Sequence, residues 1–426
     1  MIPLVFSVGI ARALGVSGLS KSLPHRFYYH GPMFRYEQPQ RGRSRQFEQL
    51  GIEAFGLSDP LSDVEQITMA SDFLSLLGLK LGQHVDLRLN TLGDVESRAK
   101  YRQALHDYLQ PFRDRLSAES RARLQRGSVL RILDSKYTGD QQLVQHVDCP
   151  KLMDYMSPAS RRRFDQVRQG LEALGYPAVV DPCLVRGLDY YHHTVFEFVF
   201  KPSSDNKKWE HVLGSSQATV LAGGRYDGLV ETIMGRSTES GSSTVPCIGW
   251  AAGLNRLMMI LRAFGPEHVR QSQQWVDRAS KLQEKWTLPS TKVLLIRIPP
   301  SSQDHWTHLN SYALQTAQEL RRLGIPVLMS DLNADEKVPT ATKQMLKMLK
   351  KYPGEPAALG TEDLSDLESR AWAELMRPVP DWAVFIGEDE VAKQELTLKH
   401  LPSRQQARLS LEGVFRMLKK GQISPL

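Results

Sequence analysis

The 426-residue sequence contains few cysteines and no long apolar run. Its three cysteines, Cys149, Cys183 and Cys247, lie far apart and show no CxxC spacing. This distribution argues against a disulfide framework and against a zinc cluster, and it fits a reducing compartment. No apolar stretch approaches the roughly 20 residues that span a bilayer, so no membrane segment is predicted. The apolar start MIPLVFSVGIARALG lacks the basic residues that open a signal peptide, so we expect no targeting segment there.

The length and composition are those of a globular protein with two or three domains. Hydrophobic residues make up 41% and charged residues 24% of the chain, which is ordinary for such proteins. The net charge is +7. An excess of Lys and Arg suits an acidic partner such as a nucleic acid, although many basic proteins bind none.

Residues 28–56, YYHGPMFRYEQPQRGRSRQFEQLGIEAFG, are predicted to form two strands joined by a loop rich in Arg, Gln and Gly. Side chains alternate along a strand, so the residues that share a face follow from the sequence. The two faces of interest carry Met33, Arg35 and Glu37 on the first strand and Phe47, Gln49, Gly51 and Glu53 on the second. Such a mixture of charges, amide and aromatic ring suits a nucleotide and an amine-bearing ligand. An edge hairpin with a charged tip is the alternative that these residues leave open.

Residues 1–270 are predicted to form one domain that contains a helical insertion at about residues 97–176. Apolar periodicity and alternation predict helices at residues 10–14 and 59–79 and strands at residues 84–90, 178–180 and 194–200. The insertion consists of charged segments with helical spacing. Its basic cluster, residues 161–163, is interpreted either as a contact to a phosphate backbone or as a solvated helix start.

A second domain is predicted at residues 291–426, after a polar linker at residues 271–290. Buried strands alternate there with amphipathic helices in a βαβαβ pattern, which indicates a small α/β domain with a mostly parallel sheet. Residues 352–380 carry several prolines and many acids and are predicted to be an insertion. The expected fold class is therefore α/β in the broad sense, with a larger α+β domain and a smaller α/β domain.

Four stretches follow one another in an order that is typical of a known family: FRYEQPQRGRSRQFEQLGIE, LVRGLDYYHHTVFEF, AGGRYDGL and IGWAAGLNRL. Together they resemble the catalytic domain of histidyl-tRNA synthetase, a class II aminoacyl-tRNA synthetase. The first resembles the second signature motif of the class, the next two the motifs particular to the histidine enzyme, and the last the third signature motif. The segments KQMLKMLKK and FIGEDEVAKQELTLKHLPSRQQ resemble the family's anticodon-binding domain. The resemblance implies an antiparallel class II sheet in the larger domain.

The resemblance implies a histidine–tRNA ligase. Such an enzyme uses ATP to convert L-histidine to histidyl-adenylate and then transfers the histidyl group to tRNA(His). Two anions meet in the first step and charge builds at phosphorus, so fixed cations are required. By resemblance Arg35 holds the α-phosphate, while Glu37 binds the adenine amine. Phe47 stacks on the adenine, and Arg256 meets the far end of the triphosphate. Mg²⁺ on the outer phosphates is implied as well, without a dedicated protein metal site.

The resemblance also assigns the amino-acid side of the site. Arg186 is implied as the catalytic cation near the substrate carboxylate and the α-phosphate, where a planar guanidinium can do the charge work of a metal ion. The residues assigned to histidine binding are Gln49, Glu53, Arg186, Tyr190, Tyr191 and Tyr226. The paired tyrosines are alternatively core aromatics with satisfied hydroxyl groups.

Further residues are expected to shape the site by resemblance. The glycines Gly223, Gly224 and Gly253 would permit close backbone approach to a ligand. Arg225 is expected to join Arg186 and Arg256 at the site floor.

The sequence departs from the family pattern near its start. The family carries there a carboxylate that fixes the substrate's amino group, but aligning SVGIARAL places Val5 at that acid and Ser7 at the adjacent Thr. The first signature motif, which builds the dimer interface, is expected upstream of Met1, so a homodimer is expected where that interface is present. Asn255 stands where the third motif usually has Glu.

These departures leave a second function open beside the ligase. A catalytically impaired synthetase-like paralogue would bind tRNA or regulate histidine metabolism without completing the reaction. For either function the expected location is cytoplasmic or mitochondrial.

Overall fold

The computed structural model describes residues 6–21, 23–36, 42, 44–185, 190–201, 212, 219–236, 244–265, 293–298, 300, 305–322, 325, 327–329, 382–401 and 403–420. The chain divides into two compact units, Met1–Val276 and Asp277–Leu426, and each is described by itself. The predictions for residues 271–290, residues 352–380 and the helix ATKQMLKMLKK lie outside the described residues.

A seven-stranded sheet forms the centre of the first unit, with the strand order β1-β2-β7-β6-β5-β3-β4. Its strands are β1 (His25–Phe34), β2 (Gln46–Phe55), β3 (Val85–Thr91), β4 (Ala178–Val180), β5 (His192–Phe200), β6 (Thr219–Arg225) and β7 (Cys247–Gly253). All neighbours are antiparallel except β3 and β4. The predicted antiparallel sheet is therefore confirmed, and the predicted hairpin is the pair β1–β2 at its edge.

Helices cover this sheet or follow its strands. They are α1 (Phe6–Val16), α2 (Pro60–Leu76), α7 (Leu229–Ile233) and α8 (Leu254–Phe264). Helix α2 begins where the sequence predicts, because the side chain of Asp59 accepts a hydrogen bond from the Leu61 amide at 2.8 Å and Pro60 occupies the first turn. It lies on one sheet face, where Phe73 packs against Trp250 of β7 at 5.8 Å between ring centroids. Helix α1 is longer than the single turn that the sequence predicts.

The helical insertion lies between β3 and β4 in the chain. Its α-helices are α3 (Val95–Leu109), α4 (Ala118–Gln125), α5 (Thr138–Val144) and α6 (Pro158–Ala173), joined by short 3₁₀ turns. The first turns of α3 and α6 meet at Asp94, whose Oδ2 accepts hydrogen bonds from the Ser157 and Ser160 hydroxyls at 2.5 and 2.7 Å. Asp94 also caps α3 by accepting from the Ser97 amide at 2.7 Å. One carboxylate thus fixes two helix starts to each other.

A second carboxylate of this kind organises α4 and α5. The Oδ2 atom of the fully buried Asp140 accepts from the hydroxyls of Ser117, Ser120 and Ser135 at 2.7, 2.6 and 2.6 Å. Burial alone would raise the pKa of Asp140, but these hydrogen bonds hold it below its ordinary value. The insertion is therefore held by two acid–serine clusters, one of them buried, as well as by apolar packing.

The second unit contains a five-stranded sheet with the order β12-β11-β10-β8-β9. Its strands are β8 (Val293–Arg297), β9 (Val327–Met329), β10 (Trp382–Ile386), β11 (Leu396–His400) and β12 (Gln406–Leu409), and its described helices are α9 (His305–Arg322), α10 (Glu388–Lys393) and α11 (Leu411–Lys420). The pairs β10–β8 and β8–β9 are parallel, whereas β10–β11 and β11–β12 are antiparallel. The prediction of a mostly parallel sheet is thus wrong for its second half. The links at residues 387–395 and 401–405 are shorter than the dozen or so residues of a parallel crossover.

Candidate active site

Small residues occupy the middle of one face of the seven-stranded sheet. Directly paired residues of neighbouring strands share a face, and the register aligns Gly51 with Ala251 and Ala222. The next row of the same face aligns Glu53, Gly249 and Gly224. We call this the site face; the opposite face lies under α2. Small side chains at adjacent positions leave a shallow floor above the backbone.

Larger side chains stand at the two ends of this floor. Tyr29 pairs with Gly51 at the β1 end, and Glu197 pairs with Ala222 at the β5 end. The distance from β1 to β5 covers four strand spacings, or about 19 Å. The site face therefore offers an elongated platform between an aromatic, polar end and a carboxylate.

Glycine is required at two positions of the floor because side chains lie directly over the backbone. A Cβ atom on Gly51 would lie 2.2 Å from the Tyr29 hydroxyl oxygen. A Cβ atom on Gly249 would lie 1.7 Å from Glu53 Oε2 and 2.6 Å from the Ile52 carbonyl oxygen. The Glu53 carboxyl group consequently rests on the backbone of β7.

The glycines expected to admit a ligand differ from one another. A Cβ atom on Gly223 would meet the Gly249 carbonyl oxygen at 2.3 Å, and one on Gly224 would lie 3.0 Å from the Tyr191 ring. Both spaces are filled by the protein itself, so packing within the first unit accounts for these two glycines. A Cβ atom on Gly253 would have nothing within 4 Å, and this glycine keeps the open approach that was predicted.

The most unusual group on the site face is the Glu53 carboxyl. It is 1% exposed, accepts a hydrogen bond from the Ser7 hydroxyl at 2.5 Å through Oε1, and accepts one from the Tyr226 hydroxyl through Oε2. Burial raises the pKa of Glu53 to about 7, against the hydrogen bonds of Ser7, Tyr226 and Tyr29, which lower it. Near neutral pH this carboxyl can therefore either donate or accept a hydrogen bond.

On one side of this carboxyl Tyr226, which contacts it directly, packs against two further tyrosines. The rings of Tyr190 and Tyr191 lie 4.8 Å apart, and both lie about edge-on to the ring of Tyr226, at 5.9 and 6.2 Å. On the other side Gln49 donates a hydrogen bond from Nε2 to the Tyr29 hydroxyl at 3.2 Å. The structure thus brings together Gln49, Glu53 and all three tyrosines that the family resemblance assigns to a histidine pocket.

Two of the residues predicted for the nucleotide, Arg35 and Phe47, lie at the hairpin. The Arg35 guanidinium carbon lies 4.4 Å from the centroid of the Phe47 ring, a cation–π contact that follows the end of β1. In the β1–β2 ladder Met33 pairs with Phe47, and Arg35 follows the last residue of β1, Phe34. Glu37 and Arg186 lie outside the described residues.

Arg256 reaches the hairpin from the first turn of α8. It donates to the carbonyl oxygens of Thr219 at 2.6 Å and Gly42 at 3.2 Å. Its neighbour Asn255 accepts from the Glu48 amide of β2 at 2.6 Å, so the departure from Glu at this position still makes a specific contact. The first turn of α8 is thereby fixed to β2 and to the start of β6.

Arg225 is not part of the site floor, and that prediction is wrong. Its register with Ile248, which pairs with Ala54, places it on the face under α2, where its side chain is fully buried. There it donates from Nε to Asp63 Oδ1 at 3.0 Å and from Nη1 to Asp227 Oδ1 at 3.0 Å. Strand alternation therefore turns Arg225 away from the site, although it directly precedes the pocket residue Tyr226.

Arg163 fits neither of the two interpretations of the basic cluster. Its side chain is 17% exposed, and it donates to both carboxylate oxygens of Asp63 at 3.2 and 3.3 Å and to the Ser58 carbonyl oxygen at 2.6 Å. Burial alone would raise the pKa of Asp63, but the charges of Arg225 and Arg163 hold it below its ordinary value. Arg163 therefore joins the insertion to α2 instead of facing solvent or phosphate.

Two residues of the site face, Tyr29 and Glu197, were missed by the sequence analysis, and Ser7 of α1, which was aligned with a family Thr, was not expected to contact Glu53. Ser7 and Tyr29 take part in the Glu53 cluster, and alternation along β1 could have identified Tyr29 because Met33 shares its face. Glu197 is a carboxylate within the otherwise apolar run TVFEFVF. It is half-buried and accepts from the Thr219 hydroxyl at 3.0 Å. A charged residue in such a strand is itself a signal of a functional face.

Two general properties concern the described part of the chain only. No group of three or more His, Cys, Asp or Glu side chains there could hold a metal ion by itself. No described helix is both long enough and apolar enough to cross a membrane.

Comparison with known proteins identifies similar chains. A model of the family described as histidyl-tRNA synthetase matches residues 6–257. A histidine–tRNA ligase of Rhodospirillum rubrum is 49% identical over 257 residues, which cover 60% of this chain and 56% of the relative. One of Limosilactobacillus fermentum is 47% identical over 266 residues, which cover 61% of this chain and 56% of the relative. The chain thus spans little more than half the length of these curated relatives. The crystal structure of apo S. aureus histidyl-tRNA synthetase covers 96% of this chain and 81% of its own at 23% identity, with a TM-score of 0.44.

Proposed function

The chain belongs to the histidyl-tRNA synthetase family, and from this premise we propose that it is a histidine–tRNA ligase, which activates L-histidine with ATP and transfers the histidyl group to tRNA(His). The observation that carries the proposal is the buried Glu53 carboxyl among tyrosines on a floor of small residues. An imidazole ring needs flat walls and a hydrogen-bonding partner for each nitrogen. This pocket has both kinds of group.

In the proposal the substrate imidazole lies between Glu53 and the paired tyrosines. Glu53 bonds to one ring nitrogen, and its pKa of about 7 lies close to that of imidazole, so the pair can share a proton near neutral pH. Gln49 and Tyr226 complete the polar contacts. Arg186 is proposed to bind the substrate carboxylate and the α-phosphate, as the family resemblance implies.

The nucleotide is proposed to bind along the hairpin. The Arg35 guanidinium lies over the Phe47 ring. Phe47 is proposed to stack on adenine, and the neighbouring guanidinium is proposed to bind the α-phosphate. Glu37 is proposed to bind the adenine amine, and Arg256 the terminal phosphate. The open space at Gly253, which directly precedes α8, allows an anion to approach the positive end of that helix.

Magnesium is proposed to bind with the outer phosphates of ATP. Mg²⁺ usually takes one or two carboxylates, keeps several waters and uses phosphate oxygens for the rest. Glu197 has the required oxygen chemistry and lies on the site face across the floor from Gln49 and Tyr29. When bound, the ion would neutralise charge on the departing pyrophosphate.

The macromolecular partner is proposed to be tRNA(His). The net charge of +7 suits a polyanion, and the second unit is proposed to bind the anticodon.

A homodimer and a location are proposed as well. Strand β1 lies at the edge of the sheet, where Tyr28 is 79% exposed, so a second copy of the chain is proposed to contact this edge. A cytoplasmic or mitochondrial location is proposed with it. Light scattering of the purified chain and imaging of a tagged chain in its own cells test these two points.

Histidine-dependent exchange of pyrophosphate into ATP tests the proposed activity directly. We expect exchange with L-histidine and none with other amino acids. Arg186→Ala should abolish exchange while leaving tRNA(His) binding largely intact, because the arginine acts on the reacting groups. Binding of tRNA(His) without any exchange by the unaltered chain would contradict the ligase and support the impaired paralogue. Exchange retained by Arg186→Ala would refute the role of that arginine.

A further inference from the structure

Two arginines of the helical insertion are connected by hydrogen bonds to the strands of the candidate histidine pocket, one directly and one through Asp63. The first is Arg98 on α3, which donates a hydrogen bond from Nη1 to the carbonyl oxygen of Tyr191. Tyr191 directly precedes β5, and its ring lies against Tyr190 and Tyr226. The contact therefore ties the insertion to one wall of the pocket through its main chain.

The second is Arg163 on α6, which acts from the opposite face of the sheet. It holds Asp63, and Asp63 in turn accepts from Arg225 at 3.0 Å and from the Thr194 hydroxyl at 2.6 Å. Arg225 directly precedes Tyr226, and Thr194 belongs to β5. This chain of charge-assisted hydrogen bonds fixes the ends of β5 and β6 from which the pocket tyrosines project.

The two arginines are held in one rigid piece of structure. Helices α3 and α6 start at the shared Asp94 cluster, which joins Ser97 of one helix to Ser157 and Ser160 of the other start. A displacement of the insertion would consequently move both contacts together. The hydrogen bonds of Arg256, on the nucleotide side, go instead to Gly42 and Thr219.

We propose that Arg98 and Arg163 are positioning residues through which the helical insertion sets the geometry of the histidine pocket. The proposal rests on the proposed function, since it assigns the tyrosine pocket to histidine. Neither arginine touches the substrate. Arg98 acts through the Tyr191 carbonyl group and Arg163 through the Asp63 carboxylate, and both of these groups hold pocket strands. Each arginine is therefore expected to affect the binding of histidine more than the binding of ATP.

Exchange kinetics with two matched pairs of variants test this proposal. Arg98→Ala and Arg163→Ala are compared with Arg102→Ala and Arg162→Ala, which remove exposed arginines from the same two helices. We expect KM for histidine to rise roughly 2- to 30-fold in the first pair, a range typical of residues that couple two sites, while KM for ATP changes less than about two-fold. The second pair should match the unaltered chain. Equal changes in both KM values, or no change in either, would overturn the proposal.

Amide hydrogen–deuterium exchange of the full chain tests this proposal independently of the ligase activity. In Arg163→Ala the amides of residues 190–201 and 219–227 should exchange faster, while those of β1 and β2 should not. This result would support the coupling even if the chain showed no exchange of pyrophosphate. Unchanged amides would refute it. If an alanine variant fails to fold, the lysine variants Arg98→Lys and Arg163→Lys keep one charge but lose the forked geometry, and an intermediate effect is expected.

Discussion

The Glu53 carboxyl should make the stability of the first unit depend on pH, and Glu53→Gln should remove this dependence. Burial raises the pKa of Glu53 from 4.5 to about 7 in the folded chain. Between these two values the folded state binds more protons than the unfolded state. Stability is therefore complete below the unfolded pKa and falls as pH rises through the folded pKa.

The size of the effect follows from the shift. Each pKa unit corresponds to about 1.4 kcal/mol, so the ionised carboxylate should cost about 3 kcal/mol of unfolding free energy above pH 7. Gln keeps one oxygen acceptor for Ser7 or Tyr226, and the loss of the other hydrogen bond should cost about 1 kcal/mol at every pH. Burial and the charge of Glu53 raise the pKa of Tyr226 well above its ordinary value, so this neighbour does not titrate in the same window.

Urea unfolding of both chains between pH 4.5 and 8.5 measures the prediction. The second unit is identical in the two chains, so its contribution cancels in the difference. We expect the stability of Glu53→Gln relative to the unaltered chain to increase by about 3 kcal/mol from the acidic to the alkaline end. Glu48→Gln makes the same chemical change on the same strand at a side chain that is 43% exposed, and it serves as the control. Parallel curves for Glu53→Gln and the unaltered chain would refute the argument from burial.

Two further substitutions test the packing of the site and of the insertion. Gly249→Ala would place a Cβ atom 1.7 Å from the Glu53 carboxylate and should lower the melting temperature and abolish histidine binding; Gly253→Ala, which has open space, should leave the melting temperature unchanged. Asp140→Asn should destabilise the insertion by about 2 kcal/mol because it weakens hydrogen bonds to a buried carboxylate, whereas Asp134→Asn at a 52% exposed side chain should have little effect in the same melts. The contribution of Asp140 should be present above its unfolded pKa and be lost as pH falls below about 4, since its folded pKa is lowered.

The parts of the fold that the sequence predicts well are those with strong local signals. Strand alternation and the loop between the strands identify the β1–β2 hairpin, and an N-cap aspartate followed by proline identifies the start of α2. The same signals cannot give strand direction, because direction depends on how long the connections are and where they run. The second sheet was for this reason predicted as mostly parallel, although short links make β11 and β12 antiparallel.

The candidate site also contains residues that the sequence predicts and residues that it does not. Residue types and family resemblance identify Glu53 and the tyrosines, because the chemistry of each follows from its side chain alone. Arg225 shows where this approach fails. It is adjacent to a pocket residue, and its charge suggested a ligand contact. A strand, however, turns successive side chains to opposite faces, and the register with Ile248 places Arg225 under α2.

The buried carboxylates explain why Arg225 can lie in the interior under α2. An arginine without exposure is stable only if carboxylates and carbonyl groups satisfy it. Asp227 lies two residues from Arg225, but Asp63 and Leu57 lie 162 and 168 residues away in the sequence. No local pattern encodes the meeting with Asp63 and Leu57, since their segment alone looks like an ordinary helix start. Removing one partner would leave an uncompensated buried charge, which is the strongest reason to expect that the Arg163–Asp63–Arg225 connection holds the pocket strands in place.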